Sequence, residues 1–154
     1  MTREKYLELV NGILVEVFND ILKIEQRVIV SASGAALTIN EIHILEAVGP
    51  NRPLSMGTVA KRLGISLPAL TISVNRLVGK GYVERERLPS DRRKVMVELT
   101  RKGRKAYEHH MAFHRKMVDA IVDDLDLASM PVLVDSLKRL RAFFKTRYKG
   151  ILED

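Results

Sequence analysis

The sequence contains no cysteine. That excludes a disulfide framework and any thiolate metal site, and it suits a reducing compartment. No uninterrupted apolar run approaches the roughly 20 residues a helix needs to cross a bilayer. The opening stretch MTREKYLELV mixes acids among its apolar residues and has no apolar h-region, so it does not read as a signal peptide. A cytoplasmic chain without a membrane partner is the expectation. Catalytic motifs are missing too. There is no Gly-rich phosphate loop, nucleophile elbow or paired-carboxylate motif, and His110-x-x-x-His114 carries Met111 where a zincin needs its general-base Glu. The chain is not expected to be an enzyme.

What remains is a chain of 154 residues, 46% of them hydrophobic, which is enough to bury the core of one domain. Its net charge of +7, from 26 Lys and Arg against 19 Asp and Glu, calls for a polyanionic partner. The charge is concentrated. Between residues 85 and 105, nine Lys and Arg stand against three acids. At the centre of that window lies LPSDRRKVMVEL, Leu88 to Leu99, where Asp91, Arg92, Arg93 and Lys94 precede the apolar alternation Val95, Val97, Leu99.

Apolar residues at Leu7, Val10, Leu14, Val17, Ile21, Ile24 and Val28 follow a three-four alternation, one face of a long helix, and Phe18, Leu22 and Ile29 widen it. So much apolar surface on a terminal helix is most simply buried against a second copy of the chain. Residues 30 to 37 (VSASGAAL) read as a loop. Thr38 and Glu41 form a capping box that opens a short helix to about Val48. Ser55 caps a second helix and LGIS, Leu63 to Ser66, turns into a third, capped by Ser66 and ended by Gly79 and Gly81. Tyr82 to Arg87 alternates as a strand, Leu88 to Arg93 reads as a hairpin loop, and Lys94 to Leu99 as the returning strand. Thr100 caps a long helix with Tyr107, Met111, His114, Val118, Ile121 and Leu125 on one face. Ser129 and Pro131 start a last helix.

Two short helices joined by a tight Gly-containing turn match a helix-turn-helix. The second, Leu67 to Gly79, is the candidate recognition helix. Ser66, Leu67, Ala69, Thr71, Ile72, Asn75 and Arg76 offer small or polar groups that can approach base edges and phosphates of double-stranded DNA. The hairpin behind it is a wing. It lifts Arg92, Arg93 and Lys94 clear of the fold toward a minor groove, where the potential is most negative. Asp91 would be repelled by DNA, so its expected task is to orient an arginine. The predicted fold is mainly α with a small β-hairpin: a winged helix-turn-helix with long N- and C-terminal dimerisation helices.

The stretch SLPALTISVNRLVGKGYVERERLPSDRRKVMVELTRKG, Ser66 to Gly103, resembles the MarR family of bacterial transcription regulators, and the likeness of element order covers nearly the whole chain. The resemblance implies a ligand-responsive repressor acting as a homodimer on an inverted-repeat operator. It also implies Arg93 as the minor-groove residue and Asp91 as its orienter. It divides the chain into an N-terminal dimerisation helix and loop (1–37), a DNA-binding winged helix-turn-helix (38–100) and C-terminal dimerisation helices (101–154), intertwined as one domain.

His110 and His114 lie four apart on one helix, so both can face one ion. Glu25 interrupts the apolar series Phe18, Leu22, Ile29, and His43 sits among Ile39, Ile42 and Leu45. A zinc-sensing branch of the family has a site that Glu25, His43, His110 and His114 resemble in order and spacing, and three nitrogens with one oxygen suit tetrahedral zinc. The chain departs from that branch at Ser31, Ile42 and His109, where a Cys and two Glu are expected. EIHILEAVG, Glu41 to Gly49, and HMAFHRKMVDAI, His110 to Ile121, look closer to the branch that represses fatty-acid-synthesis genes in response to acylated acyl-carrier protein. The two expected effectors are therefore an acyl or other organic molecule and, as the alternative, zinc with one site per chain.

Overall fold

The computed structural model describes residues 1–33, 36–88 and 91–152, with the side chains of Ala32, Ser33, Leu88, Arg92, Arg93, Ile151 and Leu152 outside that description. Helix α1 runs Arg3–Ser33 and α2 Ile39–Val48. A two-residue strand β1 (Leu54–Ser55) leads into α3 (Met56–Leu63) and α4 (Leu67–Gly79). Strands β2 (Val83–Leu88) and β3 (Asp91–Leu99) form the hairpin. Helix α5 (Arg101–Asp124), a single 3₁₀ turn (Leu127–Ser129), α6 (Pro131–Arg147) and the short α7 (Lys149–Leu152) follow.

The expected caps form. Thr38 Oγ1 accepts from Glu41 N–H while the Glu41 carboxylate accepts from Thr38 N–H at 2.9 Å, closing the box. Ser55, Ser66 and Thr100 each accept a backbone N–H in the first turn of α3, α4 and α5. Gly64 (φ 61°) makes the left-handed turn between α3 and α4, a conformation glycine adopts without steric cost.

Several boundaries differ from the sequence expectations, β2 by one residue at each end (Val83–Leu88 for Tyr82 to Arg87) and three others by more. Helix α1 continues four residues into the stretch read as loop, because no helix breaker precedes Gly34 and Ile29 is anchored in the core. Helix α6 starts at Pro131, with Ser129 closing the preceding turn on Asp126 instead of capping the helix. Strand β3 begins at Asp91, inside the expected hairpin loop. A third strand also went unread: β1 pairs with β3, Leu54 opposite Val97, giving a sheet ordered β1-β3-β2.

The core lies between α2, α3, α4 and the inner face of this sheet. Leu45, Val59, Leu70, Val74 and Leu77 are fully buried, joined by Val83, Val97 and Leu99 from the hairpin. Each such side chain stabilises the unit by about 1.5–3 kcal/mol. The terminal helices behave differently. Tyr6, Leu7, Val10, Leu14 and Val17 of α1 are exposed, as are Leu137, Leu140, Phe143 and Phe144 of α6, and α6 buries none of its residues within the single chain. Only the last turns of α1 reach the core, where Glu25 and Ile29 pack against α2 and α5. No helix among the described residues is long and apolar enough to cross a membrane.

Candidate functional site

The recognition helix is held from behind. Leu70, Val74 and Leu77 bury one stripe of α4, which leaves Leu67, Ala69, Ile72, Asn75 and Arg76 exposed and Thr71 half-buried on the other side. The expected reading face is therefore outward. Thr71 Oγ1 donates to Leu67 O at 2.8 Å, so its hydroxyl is tied to the helix and its methyl is the contact it offers. Ser66 accepts the Ala69 N–H and keeps its own hydrogen for an acceptor beyond the helix end.

The far end of α4 is clamped. Lys80 Nζ donates to both oxygens of Glu41 at 2.7 and 2.8 Å. Burial alone pushes the Glu41 carboxyl up, but the Lys80 contact and the Thr38 hydrogen bonds outweigh it and hold the pKa below the ordinary carboxylate value. Lys102 of α5 donates to Lys80 O at 2.9 Å and lies over the Tyr82 ring, 4.2 Å from its centroid. The hairpin is tied in by the same turn: Thr100 Oγ1 donates to Gly81 O at 2.7 Å and Thr100 N–H to Tyr82 O at 3.1 Å. Gly103 follows one helical turn later, and a Cβ there would stand 2.0 Å from Tyr82 O. Leu99, Thr100 and Gly103 thus have a steric reason to stand together.

The wing ladder is regular from Val83 opposite Leu99 to Arg87 opposite Val95, then slips so that Leu88 faces Asp91. Positions 92 to 94 form an irregularity on β3, a device that re-aims side chains at a strand end. The basic run sits on it. Lys94 is exposed and Asp91 pairs with it at 3.9 Å. The side chains of Arg92 and Arg93, and with them the expected Asp91–arginine pair, lie outside the described residues.

The second site is part-buried, with Glu25 and His110 buried and His43, Glu46 and His114 half-buried. Glu25, His43 and His110 bring ligand atoms within 4.8 Å of one another, and so do Glu46, His110 and His114. His114 Nε2 is 2.8 Å from Glu25 Oε1 and 3.1 Å from His110 Nε2, which is 3.2 Å from Glu46 Oε1. All four sequence-predicted ligands therefore converge. His110, not His114, is the buried histidine, and its Nδ1 has no hydrogen-bond partner among the described residues. Glu46 was not anticipated, although its i, i+3 spacing from His43 places both on one face of α2. Burial raises the Glu46 pKa, and the facing His110, with His43 and His114, lowers it further than burial raises it. An adjoining cleft of 410 Å³ has an apolar floor of Val28, Ile29, Leu37 and Ile42 and two cations, Lys102 and Lys105, at its edge.

The MarR family model matches residues 37–94. The regulator FarR of Neisseria gonorrhoeae is 31% identical over 106 residues, 69% of this chain and 73% of FarR. The chain belongs to the MarR family. Its fold overlays FabT of Streptococcus pneumoniae, solved in complex with DNA, with a TM-score of 0.83 at 32% identity, covering 91% of this chain and 98% of that one. The helix-turn-helix regulator YhjH of Bacillus subtilis, itself uncharacterised, is 30% identical over 84 residues, 54% of this MarR-family chain. The chain spans 48% of YhjH and 64% of a second Bacillus regulator, PchR. The winged helix expected from the sequence is the family's fold, and relatives of this kind are transcriptional regulators rather than enzymes.

Proposed function

We propose that the chain is a double-stranded-DNA-binding transcriptional repressor that acts as a homodimer on an inverted-repeat operator. The observation that carries this reading is the outward face of α4, with Asn75 and Arg76 exposed among small and apolar groups, beside a basic, re-aimed wing in a chain of net charge +7. The likeness to FabT, whose structure holds DNA, supports it. The uncovered apolar faces of α1 and α6 support a dimer, since such residues in one chain face water and in two chains face each other. Two recognition helices about one DNA turn, roughly 10 bp, apart then read the two half-sites. The test is an anisotropy titration of the purified protein with a duplex from upstream of its own gene and with random duplex. The operator is expected to bind at least 1,000-fold more tightly at moderate salt, and equal affinities would refute sequence-specific regulation.

The cleft beside α5 supports an effector with an apolar body and an anionic end, as an acyl group or organic acid has, because its floor is apolar and its edge carries Lys102 and Lys105. Control of fatty-acid-synthesis genes is the finer form of this reading. The likeness to the acyl-responsive branch in the segments Glu41–Gly49 and His110–Ile121 supports it. A second reading, a zinc-responsive regulator with one site per chain, is favoured by a different observation: the convergence of Glu25, His43, His110 and His114. The donor set fits the ion. Imidazole nitrogens and a carboxylate are zinc ligands, and the Nε2 atoms of His110 and His114 stand 3.1 Å apart, each within 3.2 Å of a carboxylate oxygen.

A further inference from the structure

We infer that Glu46 is a direct ligand of the buried cluster, so that the site takes a divalent transition-metal ion with three nitrogens and two carboxylates around it. The inference rests on the metal reading and deepens it, for the sequence pattern offers only one carboxylate.

The first argument is spacing. Ligand atoms bound at about 2.0–2.2 Å from one ion stand roughly 3 Å from their neighbours. The contacts from Glu25 to His114, from His114 to His110 and from His110 to Glu46 measure 2.8, 3.1 and 3.2 Å. Glu46 therefore stands as close to His110 as His114 does, and His110 links the two groups of three, Glu25–His43–His110 and Glu46–His110–His114.

The second argument is which nitrogen Glu46 faces. A carboxylate that only orients a ligand histidine bonds the ring nitrogen turned away from the metal. On His110 that nitrogen would be Nδ1, which is buried and has no partner among the described residues. Glu46 approaches Nε2, the same nitrogen that faces His114. It stands on the metal side of the ring.

The third argument is charge. Glu25 and His110 are almost wholly buried. A dication held there by one carboxylate leaves a net positive charge partly withdrawn from water, which is costly. A second carboxylate makes the assembly neutral. The five groups come as His43 and Glu46 on α2, His110 and His114 on α5, and Glu25 on α1, so three helices share one ion.

The test uses the chelator-stripped full-length protein, titrated calorimetrically with Zn²⁺ and followed by visible absorption with Co²⁺, as wild type, Glu46→Gln, Glu46→Ala and His114→Ala. Dimer mass and circular dichroism establish that each variant is folded. Wild type is expected to bind one ion per chain. Both Glu46 variants should bind Zn²⁺ more weakly, and their cobalt band should strengthen toward the intense four-coordinate pattern; weaker binding by about 10- to 100-fold with an unchanged cobalt band is what loss of an outer-shell partner gives and also overturns direct ligation. Unchanged affinity and an unchanged cobalt spectrum in both, with uptake abolished in His114→Ala, overturns the role of Glu46 and leaves the metal reading standing. No saturable uptake by wild type overturns both.

Discussion

Replacing Gly103 by alanine should damage this protein far more than a surface methyl ordinarily does. The added Cβ would lie 2.0 Å from Tyr82 O and 3.1 Å from its carbonyl carbon, both backbone atoms, and 3.4 Å from the Leu99 side chain. No rotamer change can relieve a clash with backbone. The turn between α4 and β2 must retreat by about 1 Å or more, because contacts under 3.0 Å are not tolerated. That retreat pulls Tyr82 O from Thr100 N–H and Gly81 O from the Thr100 hydroxyl. Two hydrogen bonds contribute about 1 kcal/mol each, and overpacking at a fixed backbone costs about 1–3 kcal/mol. Alanine's better helix propensity at this first-turn position returns at most about 1 kcal/mol. The expected net loss is therefore about 2–4 kcal/mol, a large part of a domain's whole stability. Urea unfolding of wild type and variant at one matched protein concentration, which the proposed dimer requires, measures it. Because the same turn fixes the angle between recognition helix and wing, operator affinity should fall as well. A Gly103→Ala protein within about 0.5 kcal/mol of wild type would refute the steric account of this glycine.

Arg93→Ala should weaken operator binding by about 1–3 kcal/mol, and Asp91→Ala should weaken it too; tighter binding on removing the Asp91 charge would show that it does not orient a cation. A double-mutant cycle of Glu41→Gln and Lys80→Met, read by denaturant unfolding, should give a coupling of about 1–2 kcal/mol, because the carboxylate is buried while the ammonium is partly exposed; a coupling near zero would mean that the pair does not hold α4. Deleting residues 132–154 should yield aggregated or unfolded protein, and a soluble monomer that still binds the operator tightly would refute the placement of the dimer interface.

The winged helix was legible because its signals are local. Thr38, Ser55, Ser66 and Thr100 are capping residues at the turns they cap, and the stripe Leu70, Val74, Leu77 points one way on any helix that contains it. Strand β1 was not legible, since two residues have no periodicity and Leu54 is a strand residue only because Val97 lies opposite. The wing irregularity was hidden for a similar reason. Register depends on both strands, and Asp91 to Lys94 looks like solvated loop until Leu88 is seen to face Asp91. In the buried cluster, the histidines stood out by residue type and Glu25 by interrupting an apolar face. Glu46 did neither. Its i, i+3 partnership with His43 was the available signal, but many helices carry such a pair, and only the approach of His110 from α5 gives it a consequence.

Helix α2 is where these parts meet. It is ten residues long. Its first turn presents Glu41 to Lys80 at the end of the recognition helix, and its next two turns present His43 and Glu46 to the cluster shared with α1 and α5. Its last turn accepts Arg62 of α3 through Ala47 O at 2.8 Å. From Glu41 to Glu46 the helix rises only about 7.5 Å at 1.5 Å per residue. A ligand that shifts α2 while engaging the cluster, or the cleft lined by Ile42 beside it, therefore acts on both helices of the helix-turn-helix through direct side-chain contacts and needs no longer route. The same contacts work in reverse. If a bound effector changes the affinity for operator by some factor, operator DNA must change the affinity for that effector by the same factor, and on the proposed reading effector binding and DNA reading would be two measurements of one displacement of α2.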